Sequence, residues 1–145
     1  MLVAFFLAAL VQTQADNRLP VSATDQIHLV SERTFTPAVG ELEAIMAGGS
    51  LSGLPGVRCG GFTPPANFWR VNCLNDTSAG RIVAVREAEH KPKIIATFDY
   101  KLIFVSSYAL HDNLVIRTLG IRGNGKAVQA EYFWKPPRTQ REVRR

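Results

Sequence analysis

The sequence predicts a mainly β domain: an antiparallel meander forming a small barrel or sandwich, with one short N-terminal helix. Three observations carry this reading. From Lys93 to Val105 the chain alternates, with Ile94, Ala96, Phe98, Tyr100, Leu102 and Phe104 on one side and Thr97, Asp99 and Lys101 on the other. That period of two describes a strand with one dry and one partly wet face. Asn124-Gly125 stands between two apolar runs, 113–121 and 126–134, which is the strongest short hairpin signal. Only one segment has helical spacing. The same elements fit an α+β alternative, with the helix packed on one curved antiparallel sheet.

Taken in order, Met1 to Val11 is a short apolar run, followed by Gln12-Thr13-Gln14-Ala15 and the charged Asp16. This is the layout of a secretory signal peptide ending at Ala15. The run is shorter than the roughly 20 apolar residues of a membrane-spanning helix, so the mature chain is expected to lack a span. Residues 16–134 then form a single β-rich domain, and 135–145 a basic flexible tail.

Within the domain, Gln26–Val30 reads as a short strand. The helix is expected over residues 37–47, with Thr36 as cap, Pro37 at its first position and Gly48-Gly49 ending it. Val39, Leu42, Ile45 and Met46 are its apolar face. Residues 48–66 are rich in Gly, Ser and Pro and read as a long irregular crossing, with a short strand at Val57–Cys59. Strands follow at Phe68–Cys73, Arg81–Glu87 and Lys93–Val105, and the final hairpin closes the fold. Its register has two solutions. A two-residue turn at Asn124-Gly125 sets Ile121 opposite Val128 and Val115 opposite Trp134, whereas a three-residue loop sets Arg117 opposite Glu131.

Cys59 and Cys73 are the only cysteines. In the oxidising space that a signal peptide implies, an even pair is most simply a disulfide. Two thiols without paired histidines do not complete a tetrahedral zinc site, and no metal or cofactor is expected. The net charge of +5 is concentrated at the C-terminus, where Lys135, Arg138, Arg141, Arg144 and Arg145 stand against Glu142. The rest of the chain is almost neutral. That distribution argues against a nucleic-acid surface on the domain and leaves the tail free to meet an anionic surface.

Three functional classes fit these residues. The first is a secreted or periplasmic, non-catalytic binding module for a small ligand or a protein partner. Its aromatic-lined surface draws on Phe62, Trp69, Tyr132 and Trp134, because aromatic rings flank Pro64-Pro65 and close the last strand. The second is a small secreted hydrolase, which requires Asp99, Glu87 or Glu131 to converge with one of His28, His90 and His111. No Gly-x-Ser-x-Gly elbow offers a serine nucleophile. The third is a structural subunit that pairs with another chain through an open strand edge. Asn75-Asp76-Thr77 matches the acceptor triplet for N-linked sugar.

Overall fold

The computed structural model describes residues 26–48 and 55–137. The expected signal peptide lies outside these residues, as does the tail beyond Pro137. Eight strands and one helix follow in order: β1 (Gln26–Phe35), α1 (Glu41–Met46), β2 (Gly56–Arg58), β3 (Trp69–Asn75), β4 (Gly80–Arg86), β5 (Pro92–Phe98), β6 (Lys101–Leu110), β7 (Asn113–Ile121) and β8 (Ala127–Lys135). They form two antiparallel sheets, one of five strands in the order β1-β8-β7-β6-β2 and one of three in the order β3-β4-β5. The mainly β prediction holds in its sandwich form.

The core lies between the sheets. Leu102, Val105, Leu114, Ile116, Val128, Tyr132 and Trp134 from the large sheet meet Trp69, Val71, Cys73, Ile82, Ala84, Ala96 and Phe98 from the small one. Burial of these side chains, each worth on the order of 1.5–3 kcal/mol for the larger apolar ones, is what drives the layers together. A smaller apolar cluster occupies the opposite face of the large sheet, where Ile45 of α1 packs on Phe104 and Leu119, with Leu42 and Met46 half-buried beside it.

Two fixed links and a polar pair tie the sheets along the β3–β6 side. Cys59, just after β2, is bonded to Cys73 in β3. The Asn75 side chain donates to the Leu102 carbonyl at 2.7 Å and accepts from the Leu102 N–H at 2.8 Å. Farther along, the Thr63 and Ser107 hydroxyls are 3.0 Å apart. The disulfide and the sheet-to-sheet role of Asn75 thus act on the same seam.

Four local expectations are corrected. Lys93–Val105 is two strands, because the chain bends at Asp99-Tyr100 and passes from the small sheet to the large one. The bend is possible because Gly80 and Gly120 flank it: a Cβ on Gly120 would lie 2.5 Å from the Tyr100 ring, and one on Gly80 would lie 2.7 Å from the Tyr100 carbonyl oxygen. Within β5, Ile95 is an extra residue opposite Ile82 and Val83. This bulge turns Ile94 outward, 51% exposed, and buries both Ile95 and Ala96. The helix starts at Glu41 rather than Pro37, since Gly40 adopts a left-handed φ of +81° and Val39 faces solvent. A reverse turn fills the difference, with the Glu41 N–H donating to the Ala38 carbonyl and the Glu41 carboxylate accepting from the Ala38 N–H. The first strand also runs on to Phe35, since pairing with β8 supplies partners beyond Val30.

The last hairpin takes the three-residue register, with Arg117 opposite Glu131 and Leu114 opposite Trp134. Gly125, at φ +86°, donates to the Arg122 carbonyl, and Arg122 pairs across the loop with Lys126. A tight turn followed by a left-handed glycine is the usual build of such a loop, and it brings the half-buried Arg117–Glu131 ion pair into line at 2.6 Å.

Candidate functional site

The four aromatic residues expected to line a surface separate into two groups. Phe62 is 44% exposed, whereas Trp69, Tyr132 and Trp134 are buried. The reason is strand parity. In β8 the side chains of Tyr132 and Trp134 point into the sandwich while Phe133, between them, points out. Trp134 meets Trp69 edge-to-face at a centroid distance of 5.0 Å. Tyr132 completes a ring cluster with Phe98 and Tyr100. The expected platform is therefore largely core, and this expectation is corrected for Tyr132 and Trp134. Trp69 keeps one edge on a surface feature described next.

That feature is a cleft of ≈ 180 Å³ at one end of the sandwich, lined by Asn67, Phe68, Trp69, Arg86, Asp112, Lys135, Pro136 and Pro137. Four chain segments build it. The turn before β3 and the end of β4 come from the small sheet, and the β6–β7 turn and the end of β8 come from the large one. It thus spans the mouth between the layers.

The turn at Asn67-Phe68 is the most informative part. Ala66 and Trp69 exchange both backbone hydrogen bonds at 2.8 Å, so only two residues close the reversal. Both are left-handed, Asn67 at φ +51° and Phe68 at φ +66°. This is the backbone of a type I′ turn, whose second position ordinarily holds glycine. Here it holds phenylalanine, with its ring 71% exposed on the cleft rim. A left-handed L-residue costs roughly 1–2 kcal/mol, and for a bulky side chain the conformation is an outlier. The turn is pinned from outside, because the Glu87 N–H donates to the Phe68 carbonyl at 2.9 Å. Across the cleft, His111 has φ +56° in the two-residue β6–β7 turn, and its carbonyl accepts a hydrogen bond from the Asn67 side chain at 3.2 Å.

Charge enters from Arg86, Lys135 and Asp112. The Arg86 guanidinium is largely buried and lies 5.4 Å from the centre of the Trp69 ring, over its face. The cation is thereby held next to an aromatic surface that favours it. Lys135 is exposed at the end of β8, where the chain leaves the sheet at Pro136-Pro137. Two cations and one carboxylate leave the lining with a net charge of +1.

The carboxylates required by a hydrolase do not gather in this cleft. Glu131 is paired with Arg117, Glu87 with Arg70 at 3.7 Å, and Asp99 with Arg122 at 3.5 Å. These are three ion pairs on different elements, matching the ordinary role of charged groups on a sheet surface. The sheet edge offered by β1 carries a bulge at Val30, with Leu29 and Val30 exposed. Bulges on an edge strand twist it away from flat pairing. At Asn75 both sides of the amide are already used by Leu102, so a sugar on its nitrogen would crowd the strand it grips.

A buried polar group lies within the core itself. The hydroxyls of Tyr100, Tyr132 and Thr118 are buried and make no hydrogen bond of good geometry. Burial pushes the Tyr100 hydroxyl up to about 12, and burial beside Tyr100 raises that of Tyr132 further. Both stay neutral at any physiological pH.

Sequence reasoning named Trp69 but passed over Phe68, Arg86, Asp112 and Lys135 as site residues. One signal for the turn was present: Asn67 is among the residues that tolerate a left-handed backbone, and it follows Pro64-Pro65 and precedes a strand. Compared with known protein families, with curated proteins and with solved structures, the chain matches none. Among the described residues, no helix is long and apolar enough to cross a membrane.

Proposed function

We propose that this protein is a non-catalytic binding module of an oxidising, extracytoplasmic compartment, and that its ligand sits in the cleft between the Asn67-Phe68 turn, Arg86, Asp112 and Lys135–Pro137. One observation carries the reading. An exposed phenylalanine occupies a left-handed turn position where glycine would cost less, and strain of that kind concentrates at ligand contacts. The Cys59–Cys73 bond supports the compartment, and the neutral, dispersed ion pairs elsewhere support a site that holds rather than reacts.

The test is a backbone amide NMR titration with a panel of small fragments containing aromatic acids, oligosaccharides and proline peptides. Binding at the cleft shifts resonances of residues 67–69, 86, 112 and 135, and the shifts vanish in Phe68→Ala. Hits that perturb other surfaces and ignore Phe68→Ala would overturn the assignment.

A further inference from the structure

We infer that this end of the sandwich docks on an anionic lipid bilayer, with the Phe68 ring entering the interface and residues 135–145 supplying the charge that holds it there. The inference rests on the proposed function only in taking this end as the recognition surface. Geometry is the first argument. Phe68 is the exposed tip of a two-residue turn whose backbone is fixed by hydrogen bonds, so its ring is presented to solvent on a rigid support. Leu110, also exposed, precedes the β6–β7 turn, whose Asp112 lines the same cleft. Two turns, one from each sheet, thus set an apolar side chain at the same end of the domain.

Charge comes from the chain that leaves here. β8 ends at Lys135 and Pro136-Pro137 line the cleft, so residues 138–145 continue from this same end. The side chains of residues 135–145 carry Lys135, Arg138, Arg141, Arg144 and Arg145 against Glu142, a net +4, which leaves only +1 of the total +5 for the rest of the chain. A small apolar anchor that binds only marginally alone becomes a stable one when joined to a polybasic segment. The polar lining argues for a bilayer over a polymer. An acidic polysaccharide asks for side chains free to pair with its carboxylates and hydroxyls, and Arg86 and Asp112 already hold partners in the structure. A single-stranded nucleic acid asks for a cationic groove with successive stacking rings, whereas here Trp69 is buried and Phe68 is the exposed ring of the cleft. A bilayer asks for neither, because it presents a diffuse negative field and an apolar interior, and both residues keep the partners they have.

The experiment takes the chain from Asp16 onward, the form that export would release, with its disulfide intact. Co-sedimentation measures its affinity for vesicles of phosphatidylcholine alone and of phosphatidylcholine mixed with phosphatidylglycerol, with oligouridylate and polygalacturonate as soluble polyanions in parallel. The mixed vesicles are expected to bind it and the neutral ones to leave it in solution, with affinity falling as salt shortens the Debye length below about 10 Å. Arg138→Gln, Arg141→Gln and Arg144→Gln should each lose about fivefold. Phe68→Ala should lose about tenfold, while Phe68→Trp, which keeps an aromatic ring at the interface, should hold its affinity. In bicelles, a nitroxide-bearing lipid should broaden the amides of residues 67–69 and 110–112. Equal binding to neutral and mixed vesicles overturns the anionic class, and Phe68→Ala binding as tightly as the parent overturns insertion of the turn. Binding to a soluble polyanion without binding to vesicles overturns the lipid. If no vesicle binds, the inference fails, and the fragment titration separately decides whether the cleft holds a ligand.

Discussion

Replacing Phe68 by glycine and by alanine isolates the backbone cost at the cleft rim. Both changes remove the ring, so their difference reports backbone contributions alone, the left-handed conformation in the folded state and chain freedom in the unfolded one. Alanine at φ +66° bears the left-handed penalty of roughly 1–2 kcal/mol, whereas glycine does not. Glycine gives back about 0.4–1 kcal/mol through the extra freedom of its unfolded chain. The net is a Phe68→Gly variant about 0.8 kcal/mol more stable than Phe68→Ala at the centre of these ranges, the reverse of the usual order inside an extended segment. Urea denaturation followed by the fluorescence of Trp69 and Trp134, buried edge-to-face, reads this directly. With a urea slope of about 1–3 kcal/mol per molar, the midpoints should differ by about 0.3–0.8 M at unchanged slope. Both variants should lose cleft binding equally, which separates stability from recognition. A glycine variant less stable than the alanine variant would refute the two-residue left-handed turn and the strain argument built on it.

Reduction of Cys59–Cys73, or its replacement by two serines, should lower stability by about 3 kcal/mol, seen as a lower urea midpoint with dithiothreitol than without it. Asn75→Ala should cost about 2–3 kcal/mol, because the Leu102 N–H and carbonyl lose both partners at once. Asn75→Asp, which keeps the acceptor for the Leu102 N–H but sets a carboxylate oxygen against the Leu102 carbonyl, should cost at least as much, and a negligible loss in either variant would count against the bridge. At alkaline pH the sign follows from the tyrosines. Tyr100, pushed up to about 12, and Tyr132, also raised, hold their protons in the folded state after the unfolded chain begins to lose them near pH 10. Their contribution is therefore complete below pH 10 and is lost as pH rises, at up to about 1.4 kcal/mol per pH unit for each tyrosine. Absorbance at 295 nm should show both hydroxyls ionising only with unfolding above pH 11; two free titrations near 10 in folded protein would contradict their burial.

Much of the sandwich was legible because its logic is local. Asn124-Gly125 marked the last hairpin, and of the two registers left open the one that sets Arg117 opposite Glu131 occurs. The long alternation from Lys93 misled for a physical reason. Period two reports which side chains face a core, and says nothing of which sheet the strand belongs to. Phe98, Tyr100 and Leu102 all face the same interior, so the pattern runs unbroken through the bend where the chain changes layers. The bulge at Ile95 was equally hidden, since an extra isoleucine among isoleucines leaves the composition unaltered.

The cleft was harder to read for a different reason, and the contrast between Trp69 and Phe68 shows it. Both are aromatic neighbours beside Pro64-Pro65, and propensity places both in a strand. The structure puts Trp69 at the first position of β3, packed on Trp134, and Phe68 one residue earlier in the turn. That single boundary decides which ring drives folding and which is left at the mouth. It is set by pairing of Ala66 with Trp69 and of Phe68 with Glu87, contacts that local sequence does not encode. The remaining lining residues come from Arg86, Asp112 and Lys135, separated along the chain and gathered only by the two sheets closing on one end. A core aromatic held by apolar burial needs no such convergence. An exposed one kept in a strained turn beside two cations requires a gain elsewhere to offset its cost, and the ligand binding we propose for this cleft would supply it.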